Sequence, residues 1–414
     1  MSDGGNRVVR RRSHLGRGTP RVALVIETSL ASGRDILLGI ARYTRECGPW
    51  SIYHEPRSLE ESVPRWLNEW DGDGIIARVQ NAQIADAVVA SGIPAVDVLG
   101  VVRRPELPLV HVDNAAIARL AAGHYLERGF RWFGFCGHES LNWSHERQEA
   151  FRQAVSESGG ECLVYHAENG GRENWEDDQD RLAAWVQSLP RPCAVMAAND
   201  PGGQKILEAC RRIGVRVPDE VAVLGVDNDE PICEISDPPL SSVVPDHQRV
   251  GYEAAALLGR IWAGEVARGS GLSVLTPPAG LISRRSSDVL ALEDREVTEA
   301  IRLIRDRACQ GLAVEDVCRE LAVSRSTLQR RFRLLLGRTV HDEIVRVRLD
   351  RAQELLAGTD LPIASVATRC GFGRQEYLGA VFRARLGVSP ATYRRRVVQT
   401  PSRAEFTARV SRGS

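Results

Sequence analysis

Between Arg21 and Asp229 the chain keeps changing its hydrophobic period, and this alternation limits the fold more than any other feature. "RVALVIET" is a mostly apolar run of strand length, and "GRDILLGIARYTREC" behind it has apolar residues at helix spacing. The pattern recurs, with "WSIYHE", "DGIIARV", "IPAVDVLG", "WFGFCG", "CLVYHAE", "CAVMAAND" and "VAVLGVD" as strands. Between them "SVPRWLNEW", "AQIADAVVASG", "HERQEAFRQAVSESG", "DRLAAWVQSLP" and "GGQKILEACRRIG" read as helices. Strands that lack a polar side belong to parallel sheets covered on both faces. So many strands crowd a single open sheet. The expected fold class is α/β: two parallel-sheet lobes, like those of periplasmic binding proteins, with a crevice between them, followed by an all-α domain with two helix-turn-helix motifs.

At 414 residues, 43% hydrophobic and 26% charged, the chain has a globular composition and exceeds one ordinary domain. No apolar run reaches the roughly 18 residues of a membrane span, and the start lacks the apolar core of a signal peptide. A cytoplasmic protein without a membrane partner is expected. The nine cysteines form no C-x-x-C pair, so neither a zinc ribbon nor a disulfide framework is indicated. Metal-ligand spacing, G-x-G-x-x-G, P-loop and G-x-S-x-G motifs are all missing, which argues against an enzyme on a doubly wound fold and leaves no cofactor expected. Acidic and basic residues balance at 54 each, yet residues 296–396 hold 19 arginines against 12 carboxylates, a net charge of +7. The Gly- and Arg-rich residues 1–20 read as a disordered arm and 397–414 as a flexible tail.

In doubly wound sheets ligands bind beyond the carboxyl ends of the strands. Polar residues at those ends are therefore candidates: Arg34 and Asp35, Arg78, Trp143 and Arg147, Asn199 and Asp200, Asp227 and Asn228. Carboxylates and amides engage adjacent hydroxyls, a forked guanidinium bridges two of them, and an indole face covers a sugar ring. Other roles stay open. Asp200 and Asp227 can cap the next helix, Arg34 can lie on a helix surface, and Trp143 can pack in the core. Three segments, Val110 to Gly137, Ala194 to Asp229 and Pro238 to Gly264, resemble the landmarks of the LacI/GalR-type regulatory core, over roughly residues 21–285. That resemblance implies a sugar-like ligand held between lobes that close on it. A purely architectural DNA binder with a degenerate sensor would not need the polar set.

The stretch from Pro277 carries Pro278, the paired Arg284 and Arg285 and the paired Ser286 and Ser287, and residues 286–295 read as the linker. Beyond it lies an internal duplication over residues 296–396. Phe332 pairs with Phe382, Leu328 with Leu378 and Gly337 with Gly387, while Ala322 pairs with Gly371 ahead of one extra residue in the second turn. Each copy is a short helix, a tight turn and a second helix, the helix-turn-helix arrangement. Leu328, Phe332, Leu378 and Phe382 are expected in the core, with Ser324 as an N-cap. Arg325, Ser326, Gln329 and Arg330 then face outward from the first copy, and Arg374, Gln375, Glu376 and Arg383 from the second; Arg394 is expected on a phosphate. "IASVATRCGFGRQEYLGAVFRARLGVSPATYRR" resembles the AraC/XylS-type DNA-binding signature. The resemblance implies a double-stranded DNA operator. Gly379 and Ala380 shorten the second reading face. A sensor in front of an AraC-type domain resembles pentose-responsive regulators. It implies D-xylose as the leading ligand, with a different sugar as the alternative, and activation of xylose-use genes; contact with RNA polymerase and a homodimer are also expected.

Overall fold

The computed structural model describes residues 18–57, 62–139, 141–167, 175–267, 269–289 and 294–399; residues 1–17 of the arm expected at 1–20 and residues 400–414 of the tail expected at 397–414 lie outside them. Two compact units, Met1–Ala291 and Leu292–Ser414, divide the chain.

In the first unit, β1 (Arg21–Val25), α1 (Ala31–Cys47), β2 (Ser51–His54), β3 (Gly74–Ala77), α2 (Ala82–Ala90), β4 (Ala95–Asp97) and β5 (Leu109–Val112) open one lobe. The second lobe follows with α3 (Asn114–Leu126), β6 (Trp132–His138), α4 (Asn142–Glu157), β7 (Glu161–Ala167), α5 (Trp175–Ser188), β8 (Cys193–Ala197), α6 (Asp200–Arg212), β9 (Val221–Val226), α7 (Glu230–Ile235) and β10 (Ser241–Val244). The chain then returns through α8 (His247–Trp262) and β11 (Ser273–Thr276) to the first lobe, and crosses again into β12 (Gly280–Ile282). The sheets have the orders β11-β5-β4-β3-β1-β2 and β12-β10-β9-β8-β6-β7. Every residue of β3, β4, β5, β8 and β9 is buried, which is why these runs are apolar apart from Asp97 and His111. One pairing departs from the expected parallel order: β12 runs antiparallel to β10. "SVPRWLNEW" forms only a 3-10 turn at Arg65–Glu69, entered from Pro64, in place of the expected helix.

Helix α8 is seated on α1 by two glycines. A Cβ at Gly39 would stand 1.9 Å from Gln248 O, and one at Gly251 would stand 2.0 Å from Ile36 O, so only glycine permits the approach. The crossing segments lie side by side, with Asp113 N donating to Thr276 O and Ala279 N to Val244 O, both at 2.8 Å.

The expected linker begins too early. Ser286 and Ser287 are fully buried in the first unit, because their hydroxyls bond to Val223 O and Ser241 Oγ. Asp294 accepts from Val297 N and so caps the first helix of the second unit.

That unit is helical among its described residues: α9 (Arg295–Arg307), α10 (Val314–Glu320), α11 (Arg325–Leu336), α12 (Val340–Gly358), α13 (Ile363–Arg369), α14 (Gln375–Leu386) and α15 (Pro390–Gln399). Helix α15 runs past residue 396, where the tail was expected to begin. Leu328 and Phe332 sit in a core with Val297, Ile304 and Val317; Leu378 and Phe382 sit in another with Leu349, Leu356 and Val366. Ala322 and Gly371 turn the chain with φ of 52° and 73°, and Gly337 and Gly387 end α11 and α14 at 64° and 71°. The duplication read from the sequence is thus repeated in backbone geometry. Tyr377 of α14 is 43% exposed and packs edge-on against Phe372.

Candidate ligand crevice and candidate DNA-binding face

The first-lobe wall begins at Glu27, just past β1, which is completely buried. Arg78, just past β3, donates through Nη1 to Glu27 Oε1 and, at 3.0 Å, to Ser32 Oγ. Glu27 Oε2 and Arg78 Nε are buried without a hydrogen-bond partner, and so are both ring nitrogens of His111 in β5 and Nδ1 of His247 at the start of α8. A buried polar atom without a partner costs about 1–3 kcal/mol, so five of them on one wall call for donors and acceptors from elsewhere.

The opposing wall comes from α4 and the turn after β9. Arg147 is buried; its Nε donates to Asn114 Oδ1 at 3.0 Å, its Nη1 to Ala198 O, and its guanidinium carbon lies 5.0 Å from the centre of the Trp143 ring. Trp143 is half-buried, so packing on Arg147 is part of its role whatever else it touches. Asp227 and Asn228 both have positive φ, 108° and 47°. Such backbone costs on the order of 1–3 kcal/mol per residue and persists only where its surroundings enforce it. Here they do: Asp227 N donates to Val243 O, Asn228 N to Ser242 Oγ, and Asn228 Oδ1 accepts from Arg284 Nη1. The turn leaves Asp227 Oδ1 3.4 Å from His247 Nε2.

Electrostatics ties the two walls together. Burial would raise the Asp227 carboxyl, but the His247 hydrogen bond and the charges of Arg147, His247 and Arg78 outweigh it and hold it below the ordinary range. Burial and the charges of His247, Arg147 and Arg78 push His111 far down, so its ring is neutral. Burial, opposed by Arg78, raises Glu27. Asp200 is pushed up to about 8 by burial and then by Asp227.

The structure therefore gathers Arg78, Arg147 and Asp227 of the expected set around one crevice and adds Glu27, His111 and His247. Five expected residues have partners elsewhere. Arg34 donates to Thr28 O and Ser29 O of its own loop. Asn199 caps α6 by accepting from Gly202 N. Asp200 receives Asp229 N at 2.7 Å and Ser242 Oγ at 2.6 Å, which gives it the task of bracing the Asp227 turn. Asn228 turns its side chain inward to Arg284. Asp35 lies against Gln248 of α8, at 3.4 Å. The missed residues carried a faint signal: Glu27 and His111 are polar interruptions at the end of, or inside, otherwise apolar strand runs.

In the second unit, Ser324 caps α11 by accepting from Thr327 N, while Arg374 makes no side-chain cap for α14. Arg325 is exposed and ion-paired with Glu315 at 2.6 Å, a pair open enough to water to be exchanged for another partner. Ser326 Oγ lies 3.1 Å from Ser324 Oγ. Arg330 is exposed, and Gln329 is half-buried with an unpartnered Oε1. Arg374, Gln375, Glu376 and Arg383 are exposed on α14. Arg394 departs from its expected place on a phosphate. Its Nε and Nη2 donate to Leu356 O and Leu361 O, satisfying carbonyls at and beyond the end of α12.

Comparison with known proteins covers both units. Residues 21–115 match the XylR N-terminal domain, 122–287 the periplasmic binding protein-like domain and 317–396 a helix-turn-helix domain. The chain is 34% identical to the xylose operon regulatory protein of Escherichia coli (strain K12), over 90% of this chain and 96% of that one. The Haemophilus influenzae protein of the same name is 30% identical, over 90% and 98%. A solved structure of the xylose-binding transcription activator xylR superposes with a TM-score of 0.73 at 32% identity, covering 91% of this chain and 98% of that one.

Proposed function

Given that this chain belongs to the family of the xylose operon regulatory proteins, and is a transcriptional regulator with a sugar-sensor unit and a helix-turn-helix unit, we propose that its crevice binds a neutral pentose, D-xylose first, and that this binding controls attachment to a DNA operator. The observation that carries the reading is the set of unpartnered polar atoms on Glu27, Arg78, His111 and His247. A polyol supplies donors and acceptors at short intervals and satisfies such a wall. Charge supports neutrality of the ligand: among the described residues Arg78 faces Glu27, and Arg147 and His247 both lie in the field of Asp227, so each cation of the crevice already has a carboxylate beside it. In the second unit, α11, α14 and the residue ahead of α14 offer Arg325, Ser326, Gln329, Arg330, Arg374, Gln375, Glu376 and Arg383 to DNA. Homodimerisation, contact with RNA polymerase, activation of xylose-use genes and a cytoplasmic location complete the reading.

A melting scan over a panel of sugars tests it. D-xylose at 100 times its Kd stabilises the binding unit by about 2.7 kcal/mol, while xylonate and xylose 5-phosphate give no shift. Asp227→Ala abolishes the shift and leaves DNA binding without sugar nearly unchanged. A full shift in that variant removes Asp227 from the site, and no shift of the natural chain with any sugar overturns the sensor reading.

A further inference from the structure

Arg284 stands where the ligand turn meets the last segment of the first unit. Its side chain is only 12% exposed. Nη1 donates at 3.0 Å to both Asn228 Oδ1 and Leu240 O, and Nε donates to Glu234 Oε1 at 2.8 Å. Its backbone N donates to Ser241 Oγ at 2.7 Å, and that hydroxyl donates in turn to Arg284 O at 3.0 Å. The residues after it continue the same mesh. Ser286 Oγ accepts from Ser241 N and donates to Val223 O, Ser287 Oγ donates to Ser241 Oγ, and His124 Nε2 lies 2.9 Å from Ser287 Oγ. Beyond Val289 the chain passes into the second unit, at Ala291 and Leu292.

One contiguous, buried hydrogen-bond network therefore runs from the Asp227-Asn228 turn to the segment that leads out of the sensor. The turn has positive φ at both residues and is held from the inside by Arg284 and Ser242. A ligand that draws Asp227 toward Arg147 and His247 must either carry Arg284 with the turn or break its bond to Asn228. Either event acts on residues 284–289.

We propose that Arg284 is a positioning residue that holds the ligand turn and couples occupancy of the crevice to the segment leaving the sensor. This rests on the sensor reading above. A bond between turn and exit segment biases both together, which is the physical requirement for coupling two sites.

The test uses the full chain and a DNA selected by the natural chain from a random library. The quantity read is the ratio of DNA Kd without and with saturating D-xylose, alongside the Kd for D-xylose. Coupling of this kind typically gives a ratio of about 5–150. Arg284→Met is expected to bring the ratio close to unity while the D-xylose Kd changes by less than about tenfold; Arg284→Lys, which keeps the charge but not the fork, gives an intermediate ratio. Ser287→Ala leaves Arg284 in place and lowers the ratio in part, which keeps the test open if the Met variant does not fold. Glu234→Ala, which removes a partner 58% exposed, leaves the ratio as it was. A natural ratio in both Arg284→Lys and Ser287→Ala overturns the proposal. So does loss of D-xylose binding in step with the ratio, which makes Arg284 a part of the binding wall. Failure of the natural chain to respond to any sugar removes the sensor reading as well, and its melting scan tells the two failures apart.

Discussion

The two helix-turn-helix copies share an interior and differ outside. Leu328 and Phe332 in one, and Leu378 and Phe382 in the other, are fully buried at matching positions, and both turns use a left-handed residue. Outside, α11 is capped by Ser324 and shows Arg325, Ser326 and Arg330, whereas α14 has no side-chain cap and carries Ala380 at the position matching Arg330; Gly379, expected to shorten its reading face, is buried. Packing tolerates little change once a core is filled, but an exposed face is free to change. The contrast teaches that duplication preserved the scaffold and left the outer faces free to diverge, and it frames the proposed division of labour, base reading by the first copy and backbone positioning by the second.

The largest expected effect tests the shared interior. Phe332→Ala and Phe382→Ala should each destabilise the DNA-binding unit by about 3–5 kcal/mol in denaturant unfolding. If one costs far less than the other, the two cores are not equivalent.

Next comes the division of labour. Arg330→Ala should lose about 1–3 kcal/mol at one operator position and change the selected sequence, whereas Arg383→Ala should weaken all sequences alike and lower the salt dependence by about one unit of slope. Selection from a randomised operator library decides; a changed sequence with Arg383→Ala and an unchanged one with Arg330→Ala reverses the two roles.

The smallest effect concerns the helix ends. Ser324→Ala should cost about 1 kcal/mol, and Arg374→Ser should gain a part of that by supplying α14 with the cap that it lacks. Equal and negligible changes in thermal melting would mean that capping does not distinguish the copies.

Much of this was legible in the sequence because it rests on periodicity. Fully apolar strands, the internal repeat and the core residues of both copies follow from spacing alone. The strands β5, β10, β11 and β12 did not, since each is only three or four residues long and lies where the chain crosses or borders the lobes. The crevice was half legible. Strand ends located Arg78, Arg147 and Asp227, but position in sequence cannot say whether a polar group faces the crevice or braces the lobe, and Asp200, Asn199 and Asn228 took the second course. Arg394 illustrates the same limit, because an arginine near a basic run looks like a phosphate contact until its carbonyl partners are seen.

Helix α12 is a wall common to both copies. Val340 and Ile344 pack into the first core, and Val345, Leu349, Ala352, Leu355 and Leu356 into the second. With 19 residues it is a rod about 28 Å long. In evolutionary terms the copies have lost the freedom to drift apart as bodies. Their outer residues can be rewritten one copy at a time, but a change of volume on the shared wall is inherited by both at once. The spacing between α11 and α14 is then a trait of this shared rod, and a lineage that altered the spacing would have to remodel the rod rather than either of those helices.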